Sequence, residues 1–439
     1  MPMRRTIAEY RAAVRSLVLT IGARLETEPM PVSDTTMASA GGGYLGRVLA
    51  EDVFSNLDLP PFQNSQMDGY AIRSADVRTA SQANPVALPV AAPIAAGDPP
   101  VALREGEAAP IMTGAPIPAG ADAVIPIEAA FPPHFMSSGT DPGSAAALVR
   151  FQAPTEAGSY LRARGSDLRA GSLVLAAGTR MGPAQWGVLA ACGLTSAPVR
   201  RRIRVLVLSS GHELRRSGEE LEEGQIYDAN GIMLVLALQD CAAETTVEMV
   251  PDDQSVVLAA LSRSAAAADL IVTTGGVSAG SFEVVRDVFE SRGVMFQSIA
   301  MQPGGPQGLG EADLRGILPP AGRPASGTTI PVICFPGNPV STMVSFEMFL
   351  RPVLRELTGS MPTRRRVEHR QLADAVDSPP AKHQVRRGRV NPDGQVELVG
   401  GPSSHLLHSY ASASALVHLP VGVAHAEAGA TVEIWRLDE

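Results

Sequence analysis

Residues 269–283 read DLIVTTGGVSAGSFE, and this stretch decides how the chain folds. The apolar residues Leu270, Ile271 and Val272 predict a buried strand, and the residues after Glu283 carry helical spacing. Between them lie two adjacent glycines, small hydroxyl residues and an acid. A strand–turn–helix of this composition brings backbone close to a ligand, because glycine lets the chain approach without a Cβ. The turn lacks the lysine of a nucleoside-triphosphate loop and the G-x-G-x-x-G spacing of a dinucleotide fold. Its ligand is of another kind.

Outward from this turn, 203–358 alternate strand and helix. Candidate strands are 203–208, 245–250, 270–273, 294–299 and 332–335, with helices beginning near Asn230, Asp253, Ser281 and Asn338. The alternation predicts a doubly wound, mainly parallel α/β sheet with ligands at the carboxyl ends of its strands. Two further strands end in similar turns, SSGHEL from Ser209 and FPGNPVS from Phe335. Asn338 followed by Pro339 reads as a helix start, and Ser281 as the cap after the second turn. On one edge of a parallel sheet the three turns form a single anion-binding rim.

The flanks read differently. Thr6 with Glu9 forms a capping box, and Ile7, Tyr10, Val14, Leu17 and Ile21 recur at helical spacing. A small-residue loop at 40–43 precedes a further short helical pattern. From 86 to 148, frequent Pro and Gly with short apolar runs predict a β module inserted into the first region, ending in SSGTDPGS at 137–144, which has the composition of a flexible stretch. Helical spacing returns at 183–192. PPAGRPASGTT at 319–329 reads as a surface loop. Beyond Arg365 the chain is β again, with NPDG between two extended runs and further strands in ALVHLP and ATVEIWRL. The expected fold class is therefore α/β plus β, multidomain. Its units are an N-terminal helical and extended region (1–75 with 160–198), an inserted small β domain (76–159), the α/β domain (199–362) and a C-terminal small β domain (363–439).

A length of 439 residues, a net charge of −9 and 45% hydrophobic against 18% charged residues describe a soluble acidic protein, not a nucleic-acid binder. Lys382 is the only lysine. Cys192, Cys241 and Cys334 lack C-x-x-C spacing, which argues against a disulfide framework or a thiolate metal site and for a reducing compartment. Charges at Glu9, Arg11 and Arg15 interrupt any leader-like apolar run, and no stretch approaches the ~20 apolar residues of a membrane span. The expected location is the cytoplasm.

Carboxylates accompany the turns: Glu213, Asp228 and Glu283. Facing an anionic ligand alone they would repel it, so Mg²⁺ bridging them to the ligand explains them. Helix-start acids favoured by the macrodipole explain them equally without metal. The histidines show no zinc spacing, and no G-x-S-x-G elbow is present.

The ordered phrases DLPPFQNSQMDGYAIR, PIMTGAPIPAGADAVIPIE, YLRARGSDL, SSGHEL, GQIYDANG, TTGGVSAG, PGGPQG and FPGNPVS resemble the MoeA family of molybdopterin molybdenumtransferases, also seen as the gephyrin E domain. The resemblance runs from about Thr6 to the C-terminus. It implies a molybdopterin-binding type of α/β domain, an elongated homodimer, and a cleft shared between the α/β domain of one subunit and the β insertion of the other. The implied reaction converts adenylylated molybdopterin and molybdate into molybdenum cofactor and AMP with Mg²⁺, and the implied partners are a molybdopterin adenylyltransferase and molybdoenzymes. A non-catalytic or slow paralogue that carries molybdopterin or the cofactor is the alternative. By resemblance, Asp68 and Thr113 belong to the insertion side of the cleft and Arg164 to the substrate side. Ser210, Gly211, Gly275, Gly276, Ser278, Asn338 and Ser341 match pterin and phosphate contacts, and Ser404 a serine near the pterin end. Glu213, Asp228 and Glu283 match the acidic trio, with Asp228 and Glu283 as the metal pair.

Three departures stand out. His212 replaces an Asp common in the family, and Glu283 replaces another. In MQPGGPQG, Gln302 and Gly305 occupy places where the family commonly has two lysines. Arg286 and Arg73 are the expected substitutes for the missing positive charge.

Overall fold

The computed structural model describes residues 5–32, 43–136, 147–277, 283–318 and 327–438. The stretch 137–144, the proposed cap Ser281, Ser278 and most of the 319–329 loop lie outside these.

The central sheet has six strands: β1 (Arg204–Ser210), β2 (Glu244–Val250), β3 (Leu270–Thr274), β4 (Met295–Ser298), β5 (Pro306–Asp313) and β6 (Thr329–Phe335). Their order is β2-β1-β3-β6-β5-β4. The first four run parallel, β5 runs antiparallel to β6, and β4 runs antiparallel to β5. Helices α1 (Ala229–Asp240), α2 (Gln254–Ser264), α3 (Val284–Glu290) and α4 (Pro339–Ser345) complete the domain. Alternation along β1 sends Val205 and Val207 to one face and Leu206 and Leu208 to the other. The first face packs on α1 through Leu234 and Leu238, and on the N-terminal helix through Tyr10, Val14, Val18 and Ile21. The second packs on Val257 and Leu261 of α2 and on Val285, Val288 and Phe289 of α3. Both faces are thus covered, as a sheet of buried β-branched strands requires.

The sheet departs from the sequence reading at β5. PQGLGEAD has little strand propensity, yet Gly308 and Gly310 are demanded by their neighbours. A Cβ on Gly308 would sit 2.8 Å from both Cys334 Cβ and Phe296 Cε1, and one on Gly310 would sit 2.8 Å from the Gly293 carbonyl.

The N-terminal helix Ile7–Gly22 carries its capping box, with the Glu9 amide donating to Thr6 Oγ1 at 3.2 Å and the Thr6 amide to Glu9 Oε2 at 2.8 Å. The short helix expected after residue 43 does not form. Residues there make turns and isolated bridges from Val48 to Arg180 and from Leu49 to Val199, because burial of Leu49 against the following segment outweighs local helical spacing. Helix Pro183–Ala191 is present. Gly69–Ile72, just ahead of the expected start of the insertion, pairs with Ala109–Ile111 and Ala123–Pro126 and so joins its sheet, while Val86–Pro89, Leu148–Phe151 and Ala130–Phe131 make a second small sheet.

In the C-terminal region, His383–Val390 and Val396–Leu398 form the hairpin across NPDG. Ala415–Leu419, Thr431–Arg436 and Val367–Gln371 extend its sheet. The opposite edge of this sheet is Met301–Gln302, contributed by the α/β domain and running parallel to the start of His383–Val390. The three cysteines are buried and free; desolvation pushes the Cys241 and Cys334 thiols up to about 12. No helix among the described residues is long and apolar enough to cross a membrane.

Candidate active site

From β1 the chain connects outward to β2, then crosses back over β1 to β3, so the switch in winding direction falls between β1 and β3. The crevice at the carboxyl ends of such a pair is where open α/β sheets hold ligands. Both flanking turns come from the phrases singled out above. Gly275 and Gly276 follow β3 with φ of 94° and 61°, a region that favours glycine. A Cβ on Gly275 would lie 2.4 Å from the Ser210 carbonyl oxygen, and one on Gly337 would lie 3.2 Å from Gly275 Cα. The three turns therefore touch through their backbones and form one rim.

Hydrogen bonds fix the rim. The Gly275 amide donates to the Phe335 carbonyl at 3.2 Å. Asn230 Nδ2, from the first turn of α1, donates to Thr274 Oγ1 at 2.8 Å and to the Gly337 carbonyl at 2.6 Å, tying the second turn to the third. Ser210 Oγ donates to Asp252 Oδ1 at 2.7 Å. Asn338 caps α4 by position, with Pro339 next, but its side chain makes no capping hydrogen bond.

In front of the rim opens a cleft of about 1030 Å³. Of the residues expected at the site, it is lined by Ser210, Gly211, Glu213, Asp228, Gly275, Gly276, Glu283, Asn338, Ser341 and Ser404. Ser404 arrives from the C-terminal region on the loop 400–405, docked where the Val340 amide donates to the Ser404 carbonyl at 3.0 Å. Behind this loop, Arg386 Nη2 donates to the Gly400 carbonyl at 3.0 Å and Arg387 Nη2 to the Gly401 carbonyl. The Arg387 side chain is fully buried.

Asp228 caps α1, accepting from the Gly231 amide at 2.9 Å through Oδ1. The dipole explanation thus accounts for one oxygen of this carboxylate, while Oδ2 has no protein donor among the described residues. Among those residues no three His, Cys, Asp or Glu side chains group to hold a metal ion by themselves. Mg²⁺ ordinarily takes one or two protein carboxylates and completes its octahedron with water and substrate phosphate oxygens. Asp228 and Glu283 fit that donor set.

Asp68, Thr113 and Arg164 do not line the cleft of their own chain. Asp68 Oδ1 accepts from both the Thr113 amide and Thr113 Oγ1 at 2.7 Å, and these bonds, the amide first, hold its carboxyl below the usual range. Arg164 instead pairs with Asp58 at 2.6 Å.

The expected substitutes for the missing lysines are not in the cleft either. Arg286 pairs with Glu290 at 3.2 Å and lies over the Phe296 ring, and Arg73 is 3.6 Å from Glu105 on the inserted module. Each pairs with an acid that lies outside the cleft lining. His212 is exposed and outside the lining. Sequence reasoning missed Asp252, Asn230 and Lys382, all in the lining. Asp252 stands at the carboxyl end of β2, the signal that could have found it; Asn230 sits inside the quoted GQIYDANG.

Three family models match the chain: the MoeA N-terminal region (domains I and II) over 5–193, a probable molybdopterin-binding domain over 207–356, and the MoeA C-terminal region (domain IV) over 369–437. Molybdopterin molybdenumtransferase 2 of Mycobacterium tuberculosis is 42% identical over 402 residues, 89% of this chain and 93% of the relative. The molybdopterin molybdenumtransferase of Synechococcus elongatus is 33% identical over 439 residues, 98% of this chain and 100% of the relative. A crystal structure of a MoeA molybdopterin biosynthesis protein from Pyrococcus horikoshii superposes with a TM-score of 0.76 at 28% identity, covering 99% of each chain.

Proposed function

Since the chain belongs to the MoeA family of molybdopterin molybdenumtransferases, and so to molybdenum-cofactor biosynthesis, we propose that it inserts molybdate into adenylylated molybdopterin, releasing AMP and molybdenum cofactor. The observation that carries this reading is the meeting of three glycine turns, Ser404 and the acids Glu213, Asp228 and Glu283 around one cleft.

The amides and hydroxyls of the rim hold the phosphate-bearing pterin, with Gly275 and Gly276 permitting close approach and Asn230 keeping two turns in register. Ser341 and Asn338 line the phosphate side and Ser404 the pterin end; Ser278 belongs with the same contacts by its place in the motif. Cleaving the phosphoanhydride concentrates negative charge on the leaving adenylate. Asp228 and Glu283, with Glu213 in the same lining, would hold Mg²⁺, which would supply charge neutralisation there.

Asp68, aimed by Thr113, orients the attacking oxygen, and Arg164 steadies the substrate. Because neither Asp68 nor Thr113 reaches the cleft of its own chain, the reading includes a homodimer in which each subunit's β insertion completes its partner's site. The four-unit division, with boundaries near 76, 160, 199 and 363, belongs to the same reading. So do a cytoplasmic location and contact with a molybdopterin adenylyltransferase and with molybdoenzymes.

Purified protein given adenylylated molybdopterin, Mg²⁺ and molybdate is expected to release AMP; no release at any molybdate concentration rejects the proposal. Gln302 and Gly305 favour a second reading, a slow or non-catalytic carrier of the pterin. That reading predicts tight pterin binding that is indifferent to Asp68→Ala and Asp228→Ala.

A further inference from the structure

The cleft has an electrostatic polarity that its sheet order sets. Asp252, Glu213 and Asp228 follow β2 and β1 at one side, and Glu283 follows β3 in the middle. At the other side is the loop Gln302–Gly305 that precedes β5, with Ser404 and His405 above it. Among the described residues no arginine lines the cleft, and the four carboxylates of its lining share it with one ammonium group, Lys382.

Lys382 is half-buried and has no carboxylate partner among the described residues. Its place is fixed by backbone on both sides. Its own amide donates to the Pro379 carbonyl at 3.0 Å, and the next amide, His383, donates to the Ala300 carbonyl at 2.9 Å. His383 and Gln384 then pair with Met301 and Gln302, and Gln384 Nε2 donates to Gln302 Oε1 at 3.2 Å. Lys382 therefore directly precedes the ladder that positions Gln302.

We propose that Lys382 is the cation that binds a tetrahedral oxyanion at the Gln302–Gly305 end of the cleft. It supplies from the C-terminal sheet the positive charge that this loop lacks. Among the described lining residues, no other lysine or arginine offers an oxyanion a fixed positive charge. A flexible ammonium acting as a point charge needs no bidentate geometry, so one lysine just ahead of a neighbouring strand serves where the loop offers only an amide and a hydrogen. The inference rests on the proposed reaction for its biological meaning but not for its test.

The test is equilibrium binding to the resting protein, with molybdate alone and with AMP alone as probes, at low and moderate ionic strength. Lys382→Ala is expected to weaken one oxyanion by about ten- to hundredfold, the scale of one hydrogen bond to a charged group, with the salt dependence reduced. A loss confined to molybdate assigns the site to the metal oxyanion, and a loss confined to AMP assigns it to the substrate phosphate. Lys382→Arg should retain most of the affinity.

Adding Gly305→Lys to the Lys382→Ala protein should restore it, since a Cβ at Gly305 would meet nothing closer than 3.5 Å. Unchanged binding of both probes in a folded Lys382→Ala protein overturns the proposal, and so does an equal loss in Lys382→Arg. Wild-type protein that binds in this pattern without releasing AMP would instead reject the proposed reaction while leaving the oxyanion site standing.

Discussion

The cleft at the sheet edge and the Asp68–Thr113 pair on the inserted module hold their acids in opposite ways. In the cleft, residues from β1, β2, β3, β6 and the C-terminal loop converge, and each is placed by contacts far away in sequence, as when Asn230 reaches Gly337 at 2.6 Å. On the insertion, one carboxylate is clamped by one threonine through two bonds of 2.7 Å, amide and hydroxyl. The first arrangement tolerates little change in any one element. The second is compact and self-contained, suited to being presented to a cleft that lies elsewhere.

The sharpest way to break this comparison is subunit mixing. Asp68→Ala and Asp228→Ala are each expected to cut AMP release by about a hundredfold or more, the cost of losing alignment at the reacting atoms. If the two regions meet across subunits, mixed dimers of the two variants regain turnover that neither has alone. Failure to regain it would place both halves in one chain.

Next in size is Gly275→Ala. Its methyl would lie 2.4 Å from the Ser210 carbonyl at a φ of 94°, so stability should fall by about 1–3 kcal/mol in denaturant titrations and the cleft should lose its ligand. The same substitution at Gly114, where a Cβ meets nothing within 4 Å but φ is 80°, tests backbone strain alone and should cost less. Asn230→Ala removes two hydrogen bonds and should destabilise by about 1–2 kcal/mol, with substrate affinity falling further than stability.

The smallest effect separates the regions by pH. His418 is buried against Trp435 and 3.0 Å from His383, and desolvation first, then His383, holds its pKa well below 6.5. The unfolded chain binds that proton more readily, so the stabilisation is complete above about 6.5 and declines as pH falls further, by at most about 1.4 kcal/mol per unit for one imidazole. Melting temperature should therefore drop below about pH 6.5 and flatten in His418→Leu. Asp68, whose carboxyl is held below the usual range, stays ionised across this window. An acid loss of activity should accordingly follow the C-terminal sheet and not the Asp68–Thr113 pair.

Much of this was readable in the sequence, and for physical reasons. Strands β1, β3 and β6 are apolar runs ended by glycine turns, and backbone geometry alone carries those turns to one edge. β5 escaped because its glycines answer to Cys334, Phe296 and Gly293, contacts that no local pattern records. The glycine turns that line the cleft are legible for the same reason. The cleft's charges are not: Arg286 and Arg73 look equally available, and only tertiary placement shows them on Glu290 and Glu105 while Lys382 faces the cleft.

The parallel pairing of Met301–Gln302 with His383–Val390 bears on modularity. A C-terminal segment cut loose near residue 363 would leave behind an edge strand of its own sheet and expose a row of unpaired amides and carbonyls prone to self-association. The C-terminal segment is thus a poor candidate for independent transfer between proteins, because a strand from before residue 363 completes its sheet.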